Sequence, residues 1–358
     1  MANFFARILI QWHHDNPRPL PWTNETPDPY RIWLSEIIMQ QTRIDQGTDY
    51  YLRFVHTFPT VKSLAVASQD EVMRLWQGLG YYTRARNLHK AACYIVQKLD
   101  GRFPETYDGL LALPGIGPYS AAAISSFAFG GKHAVVDGNV KRVVSRFVGL
   151  RDSIDDPAAH DQIRKIATAY MTDVPPGLFN QAIMNFGALV CKPKGALCNT
   201  CPLSKKCYAF QHDLVDVLPV RSKKKMNTVR HFHFIVFHYR GRFLLQRREG
   251  NDIWRGLYAP PIMERNSPRT PSLAQLNLFA AKIIGHIKMN LSVSSATVRQ
   301  LLSHQTIIGR FHHITLLRPP TALSEDYIWV SNKTIHQYGK PKMIVEMNES
   351  LQEKKSAL

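Results

Sequence analysis

The sequence predicts two domains of different class, a mainly α N-terminal domain followed by a smaller α+β domain. The first observation is length, because 358 residues correspond to about two domains of ordinary size. The second is that apolar residues recur at spacings of three and four as far as residue 218, which is typical of amphipathic helices. The third is the alternation of apolar and polar residues over 231–238, which predicts a β-strand.

Composition places the boundaries of these domains. Residues 1–218 form the predicted helical domain, in which Pro and Gly separate the apolar periodic segments. Residues 219–229 lack apolar periodicity and contain a run of lysines, so they predict a basic linker. Residues 230–350 form the second domain, with several β-rich segments and a helix predicted over 273–286.

Net charge points to a polyanionic partner. The chain contains 45 Lys and Arg against 27 Asp and Glu, a formal charge of +18, of which +4 falls in residues 1–218 and +14 in residues 219–358. Nucleic acid is the first candidate, and a basic surface that serves solubility alone is the alternative. No apolar run approaches the roughly 18–20 residues of a membrane span, and the first residues lack the pattern of a signal peptide. We therefore expect a cytoplasmic protein, associated with the nucleoid if it is bacterial.

Four of the five cysteines fall close together, with the spacing C-x6-C-x2-C-x5-C, and Cys93 stands apart. The four clustered residues are Cys191, Cys198, Cys201 and Cys207. Such clustering favours a metal site in a reducing compartment over a set of disulfides. Iron–sulfur and structural zinc sites use the same ligands, so spacing alone leaves both open.

A glycine-containing turn and two acidic residues are candidates for chemistry. Residues 113–119 read Leu-Pro-Gly-Ile-Gly-Pro-Tyr; Gly115 and Gly117 permit a tight turn before a helix whose first amides can bind phosphate, although a plain helix connection is the alternative. Glu36 has apolar neighbours, so it is either a salt-bridged helix residue or an acid whose pKa is raised by burial. Asp137 precedes Gly-Asn-Val, where an ordinary role is to cap a helix.

Taken together and in this order, these segments resemble one family. Leu34-Ser35-Glu36, the 113–117 turn, Val136-Asp137-Gly138-Asn139-Val140 and the spaced cysteines are similar to the endonuclease III superfamily of helix-hairpin-helix DNA glycosylases. Within it, the chain resembles the MutY-type adenine DNA glycosylases over residues 5–220. The segments that carry this second resemblance are Leu20-Pro21-Trp22, Gln40-Gln41-Thr42, Gly78-Leu79-Gly80-Tyr81-Tyr82 and Phe179-Asn180-Gln181.

The resemblance implies a fold and a set of catalytic roles. It implies two helical lobes with a base pocket between them and a [4Fe-4S] cluster on the four cysteines. Glu36 would protonate a flipped adenine, and Asp137 would stabilise the positively charged sugar, as paired carboxylates do in glycosidases. Tyr119 stands where relatives that also cut the strand carry a lysine. Because a tyrosine cannot form an imine, a glycosylase without lyase activity is expected.

The remaining roles concern DNA and the opposite base. Gln41 and Tyr81 resemble residues that wedge into the base stack, and Trp22 and Gln181 resemble residues of the adenine pocket; core packing or surface polarity is the alternative for all four. The family's C-terminal domain is related to Nudix hydrolases and reads 8-oxoguanine with a Phe-Ser-His loop, for which the best match is Phe311-His312-His313. His312 departs from the serine of that loop, and the alternative is that these histidines are polar residues of a strand. The second domain lacks the glutamate cluster of a Nudix hydrolase, so pyrophosphate hydrolysis is not expected.

These observations give one leading hypothesis and two alternatives. The leading hypothesis is a monomeric glycosylase that removes adenine opposite 8-oxoguanine or guanine in double-stranded DNA. The alternatives are a pyrimidine glycosylase/lyase like endonuclease III and an iron–sulfur DNA-binding protein without catalytic activity.

Overall fold

The computed structural model describes residues 2–23, 26–222, 227–285, 289–294, 297–320 and 323–346. The chain divides into two compact units. Residues 1–66 and 87–224 form the first unit, and residues 67–86 and 225–358 form the second. Part of the predicted linker, residues 223–226, lies outside the described residues.

The first 218 residues are helical, as predicted. The α-helices are α1 (Ala2–Asp15), α2 (Pro29–Met39), α3 (Ile44–Thr57), α4 (Val61–Val66), α5 (Gln69–Leu75), α6 (Thr83–Lys98), α7 (Tyr107–Leu111), α8 (Pro118–Phe129), α9 (Gly138–Val148), α10 (Pro157–Tyr170), α11 (Pro176–Leu189) and α12 (Tyr208–Gln211). Two short 3-10 helices, Cys198–Thr200 and Ser204–Lys206, lie in the cysteine-rich segment. Within the described part of the chain, no helix combines the length and apolar character needed to cross a bilayer.

Local sequence signals set the ends of the helices that carry the site. The side chain of Asp28 caps α2 by accepting from the amide of Tyr30 at 2.9 Å. Pro118 occupies the first position of α8, where its fixed φ suits the helix and no amide is required. Helix α9 ends at Gly149, whose φ of 77° is the left-handed conformation that glycine adopts without strain.

Aromatic side chains form the core of the first unit. Phe5 of α1 lies 4.6 Å from Phe147 of α9 between ring centroids, and both belong to a buried cluster that also holds Phe179 and Phe186 of α11. Because α9 and α11 pack in this cluster, Asp137 at the start of α9 is held in a fixed position.

The second unit contains a mixed β-sheet. Its strands are β1 (Thr228–Tyr239), β2 (Arg242–Arg247), β3 (Tyr258–Ala259), β4 (Ile262–Arg265), β5 (Met289–Ser294), β6 (Val298–Leu301), β7 (Gln305–Leu316) and β8 (Tyr327–Ser331). The main strand order is β3-β2-β1-β7-β5, with β4 paired to β1, β6 to β7 and β8 to β2. Strands β1 and β7 run parallel along their length, from Thr228 opposite Gln305 to His238 opposite Thr315.

One helix packs on this sheet, where the sequence predicts it. Helix α13 (Leu273–Ile284) begins at a Ser272–Gln275 capping box and buries Leu276 and Ala280 against Ile235 and other strand residues. A 3-10 turn, Ile335–Gln337, follows β8. The predicted α+β character of the second domain is therefore confirmed.

Residues 67–86 belong to the second unit although they precede most of the helical domain in sequence. Asp70 accepts from the hydroxyl of Tyr258 at 3.3 Å, and Arg86 donates to the carbonyl of Arg255 at 2.7 Å. The predicted boundaries at 218 and 230 take no account of this segment, because its apolar periodicity is that of an ordinary helix. Strand β1 also begins at Thr228, inside the predicted linker.

Two histidine pairs link β1 and β7. His233 Nδ1 lies 3.0 Å from His312 Nε2, and His238 Nε2 lies 2.9 Å from His313 Nδ1. Burial lowers the pKa of both His233 and His312 to about 4, and neighbouring positive charges act in the same direction. Both residues are therefore neutral near pH 7, with one ring able to donate to the other.

We predict that the second unit loses stability as the pH falls from 6.5 to about 4. In this range the unfolded state binds protons at His233 and His312 more readily than the folded state does, so the free energy of unfolding falls as the pH falls. Hydrogen exchange of the β1 and β7 amides in the intact chain measures it. The double variant His233→Leu/His312→Leu should make the free energy of unfolding less dependent on pH, and the control His231→Gln should leave the pH dependence unchanged. If the double variant keeps the pH dependence of the wild type, these two histidines are not its cause.

Candidate active site

One open cleft of about 740 Å³ in the first unit brings together half of the site residues that the sequence singles out. Its walls come from the start of the chain, α2, the turn before α8, the start of α9 and one face of α11. The predicted site residues that line it are Trp22, Glu36, Gln41, Gly115, Gly117, Tyr119, Asp137 and Gln181. Residues that are distant in sequence thus converge on one cavity of the size of a ligand site.

Glu36 combines access to the cleft with a desolvated carboxyl group. The residue is half-buried, lines the cleft, and has its carboxyl group surrounded by protein atoms. Burial raises the pKa of Glu36 to about 7; the negative charge of Asp137 acts in the same direction, and a hydrogen bond with Tyr119 opposes it. A carboxyl group with such a pKa is protonated in a large fraction of molecules at neutral pH and can act as a general acid.

Asp137 is both the N-cap of α9 and a wall of the cleft. Its carboxylate accepts from the Val140 amide and from the Asn139 side chain, each at 2.7 Å. Burial raises the pKa of Asp137 above its ordinary value, whereas these two donors and the Arg142 guanidinium favour the anion. The structural role and the catalytic role that the sequence left as alternatives are therefore compatible.

In the turn before α8, Gly115 adopts a left-handed conformation and Gly117 does not. Gly115 has a φ of 77°, and a Cβ there would meet the side chain of Asn87 at 2.4 Å. Gly117 is the N-cap of α8 with extended backbone, so it has no need of a left-handed conformation. The amides of the first turn of α8 lack helical partners and can bind a phosphate oxygen.

Sequence reasoning did not single out some residues that support the cleft. The Gln40 side chain donates to the Ser120 hydroxyl at 2.9 Å and so joins α2 to α8. Arg142 donates to Asn139 Oδ1 at 2.9 Å, and this orients the amide that binds Asp137. Asn139 lies in the Gly-Asn-Val segment after Asp137, so the signal was present but not used.

A second cleft of about 650 Å³ shares Pro118 and Tyr119 with the first. Four of its other lining residues carry basic groups: Lys132, His133, His160 and Arg164. Asp161 is the acidic residue among the lining groups and pairs with Arg164 at 3.2 Å. Lys132 and Arg164 place cationic groups next to the hairpin, which suits a nucleic-acid backbone, whereas burial lowers the pKa of His160, so its ring adds little positive charge at neutral pH.

The four clustered cysteines line one small cavity of about 30 Å³, closed by apolar side chains of α9 and α11. Arg146 donates to Cys191 Sγ at 3.4 Å, and Arg142 donates to the Cys191 carbonyl at 2.6 Å. Burial and the neighbouring cysteines raise the pKa of Cys201 to about 11, so a metal would have to displace its proton. Among the described residues, no three His, Cys, Asp or Glu side chains are spaced to hold a single ion. The soft donors, apolar walls and nearby arginines fit an anionic thiolate-bound cluster.

The structure corrects the predicted 8-oxoguanine loop. Phe311, His312 and His313 lie inside β7, not in a loop. Phe311 is stacked on Phe234 with 4.6 Å between ring centroids, and His312 is 0% exposed. Adjacent residues of a strand point to opposite faces, and both Phe311 and His312 are buried, so both faces of β7 are covered at this point and the match in sequence was misleading.

A different Ser-His pair is exposed in the second unit. Ser303 and His304 form the turn between β6 and β7 and line a cleft of about 430 Å³ together with residues 78–83. The Tyr81 hydroxyl forms a hydrogen bond with Ser303 Oγ. Tyr81 is 45% exposed and has a φ of 47°, which is uncommon for a residue with a side chain. This predicted wedge residue therefore projects beside an exposed Ser-His turn.

Comparison with known proteins identifies the family. The family described as HhH-GPD superfamily base excision DNA repair protein matches residues 34–168, and the NUDIX domain family matches residues 232–349. An adenine DNA glycosylase of Buchnera aphidicola subsp. Baizongia pistaciae is 33% identical over 293 residues, which are 78% of this chain and 82% of that protein. The chain belongs to the adenine DNA glycosylases. Another adenine DNA glycosylase, from Buchnera aphidicola subsp. Schizaphis graminum, is 29% identical and covers 96% of this chain and 98% of the relative.

Solved structures show a similar fold. A thermostable thymine-DNA glycosylase aligns with a TM-score of 0.52 and 27% identity, covering 59% of this chain and 97% of that one. A non-covalent endonuclease III–DNA complex aligns with a TM-score of 0.51 at 21% identity and covers 60% of this chain and 98% of that one, which shows a shared fold. The predicted helix-hairpin-helix fold, Nudix-like second domain and family are confirmed.

We predict that Glu36 titrates near pH 7 and that its two neighbours shift this value in opposite directions. Tyr119→Phe removes a hydrogen bond that favours the anion and should raise the pKa of Glu36, whereas Asp137→Asn removes a negative charge and should lower it. Carbon NMR of labelled glutamate measures the titration, with Glu36→Gln identifying the signal. A Glu36 signal that titrates near pH 4.5, or shifts equally in both variants, would contradict this account.

Proposed function

We propose that this chain removes adenine paired with 8-oxoguanine or guanine from double-stranded DNA by hydrolysis of the N-glycosidic bond. The observation that carries the proposal is the desolvated carboxyl group of Glu36, with Tyr119 and Asp137 beside it in a cleft of adequate size. Adenine leaves readily only after a ring nitrogen is protonated, which requires an acid that keeps its proton at neutral pH.

The two carboxyl groups divide the reaction between them. A flipped adenosine places its base in the cleft, where Glu36 transfers a proton to a ring nitrogen. As the bond to adenine breaks, positive charge develops on the sugar, and Asp137, held by the amides at the start of α9, stabilises it. A water then adds to the sugar and passes a proton to a carboxylate.

Hydrolysis is favoured over strand cleavage. A lyase that uses a lysine forms an imine with the sugar, and none of the described residues that line the cleft is a lysine. Tyr119, at the first turn of α8, donates a hydrogen bond to the Glu36 carboxyl group and so lowers the pKa that burial raises.

DNA binding uses several features of the first unit. In the first unit, the hairpin before α8 and the basic cleft beside it offer amides and cations to phosphates. Gln41 is exposed with a φ of 54° on the rim of the catalytic cleft, which suits a residue that enters the base stack. Trp22, which packs against Tyr51, and Gln181 contact the flipped base. We expect the protein to act as a monomer in the cytoplasm, on the nucleoid if it is bacterial.

Recognition of 8-oxoguanine falls to the Ser303–His304 turn. The N7–H of 8-oxoguanine is a donor that guanine lacks, so the reader must present an acceptor in an accessible position. Ser303 Oγ is exposed and next to Tyr81, whereas His312 is enclosed in the sheet. The exposed turn replaces Phe311, His312 and His313 as the site of lesion reading.

The four clustered cysteines hold a [4Fe-4S] cluster. Bound there, the cluster ties the 191–207 segment into one rigid loop, and the Arg146 guanidinium beside Cys191 offsets its negative charge. Lys192, Lys194, Lys205 and Lys206 lie in this segment and become fixed donors for phosphates. This cluster supplies structure, and the proton transfers belong to the side chains of the cleft.

Single-turnover cleavage of duplexes with A opposite 8-oxoguanine, G, T and C tests the reaction. We predict adenine release opposite 8-oxoguanine and G, a loss of about 10²–10⁴-fold in Glu36→Gln because the acid is removed, and no adduct after borohydride treatment. Tyr119→Phe should retain cleavage. Adenine release that is unchanged in Glu36→Gln would contradict the mechanism, and a borohydride-trapped adduct would favour a lyase.

Metal analysis of the purified chain tests the cluster. We predict a brown protein with a broad absorption near ~400 nm and iron with sulfide. Cys198→Ser should lose the colour because a thiolate ligand is removed, and Cys93→Ser, the matched control on α6, should keep it. A colourless protein with stoichiometric zinc would contradict the assignment.

A further inference from the structure

Lys340 is a charged side chain enclosed in the second unit. It is 4% exposed, and its ammonium group donates to the carbonyls of Ile335 at 2.6 Å and Tyr338 at 2.7 Å. None of the described carboxylates pairs with it in an ion pair. Burial of a charged group without a carboxylate partner costs free energy, and hydrogen bonds to the two carbonyls offset part of that cost.

The 335–340 backbone, which the Lys340 ammonium group holds together, contacts residues of the 67–86 segment. The Lys340 amide donates to Gln77 Oε1 at 3.0 Å, and the Lys340 carbonyl accepts from the Tyr82 hydroxyl at 3.3 Å. The preceding Gly339 packs closely on the same segment, since a Cβ there would meet the Met73 carbonyl at 3.3 Å, a tight contact. The Lys340 backbone thus holds both sides of the turn at 78–81.

Tyr81 is the residue that this turn presents. The turn is closed by the Trp76 indole, which donates to the Gly80 carbonyl at 2.9 Å, and by the Tyr82 hydroxyl, which accepts from the Gly78 amide at 3.4 Å. Tyr81 then extends to the Ser303 hydroxyl. Tyr82 therefore joins the Lys340 carbonyl to the same turn that carries Tyr81.

We propose that Lys340 is a positioning residue that, through Gln77 and Tyr82, fixes Tyr81 against the Ser303–His304 turn and thereby sets the preference for adenine opposite 8-oxoguanine over adenine opposite guanine. Lys340 touches neither DNA nor the catalytic cleft in this account. The inference rests on the proposed reading of 8-oxoguanine at that turn. Its charge matters because an ammonium group binds two carbonyls more strongly than a neutral donor.

The test compares rates and affinities on two duplexes, with adenine opposite 8-oxoguanine and opposite guanine. Lys340→Met keeps the length of the side chain but loses the two donated bonds, so the ratio of the two affinities should narrow by about threefold or more. The saturated single-turnover rate on the guanine duplex should stay within about twofold, because the cleft is untouched. Lys333→Met, at an exposed lysine in the turn that follows β8, should change neither value.

A second set of variants separates positioning from loss of fold. Tyr82→Phe removes the hydrogen bond from the Tyr82 hydroxyl to the Lys340 carbonyl. Its effect on the ratio of the two affinities should not add to that of Lys340→Met in the double variant, since both changes break the same connection to Tyr81. If Lys340→Met fails to fold, Tyr82→Phe and Gln77→Leu still test the connection through the same ratio. Lys340→Arg, which keeps the charge and the donors, should give a ratio of the two affinities between those of the wild type and Lys340→Met.

The outcomes distinguish this inference from the function on which it rests. If the wild-type chain shows no preference for 8-oxoguanine, or Ser303→Ala leaves the preference unchanged, then the proposed reading turn is wrong. If the wild type discriminates and Ser303→Ala narrows the ratio while Lys340→Met and Tyr82→Phe do not, the positioning role is wrong. Equal losses on both duplexes in Lys340→Met would likewise overturn it, because they indicate a structural role only.

Discussion

The removal of the Glu36 carboxyl group from water is the interaction on which the site depends, because it holds a proton near neutral pH where one is needed. Three elements produce it. Helix α2 places the carboxyl group among apolar neighbours, α8 brings the Tyr119 hydroxyl to it, and α9 brings the negative charge of Asp137 near. Tyr119 favours the anion and Asp137 the acid, so the pKa is set by a balance of opposing contacts as well as by burial.

The same arrangement explains why a helix cap lies at the centre of the cleft. Asp137 must remain an anion in a partly buried place, and the start of a helix supplies donors and a favourable dipole without a mobile side chain. Burial raises the pKa of both neighbouring carboxyl groups, but the two groups differ in the donors that oppose it. Glu36 has few donors and keeps its proton, whereas Asp137 has the Val140 amide and the Asn139 side chain.

The N-terminal site could be predicted from the sequence because its signals are local. The apolar neighbours of Glu36, the glycine turn at 115–117 and the Gly-Asn-Val segment after Asp137 each describe a short piece of backbone that tertiary packing preserves. The proposed lesion-reading turn could not, because Phe311-His312-His313 matches the family's pattern of residue types, whereas pairing and packing in the sheet bury Phe311 and His312 on both faces of β7. Residues 67–86 also escaped prediction, since contacts such as Gln77 with Lys340 join positions far apart in the chain.

The pH dependence of the single-turnover excision rate, measured on adenine opposite guanine with the enzyme in saturating excess, tests the central claim most directly. If a desolvated Glu36 supplies the proton, the rate falls about tenfold for each pH unit above a midpoint near 7, since the deprotonated enzyme cannot protonate the base. A rate that stays constant from pH 5 to about 9 on a duplex that remains bound would contradict the account.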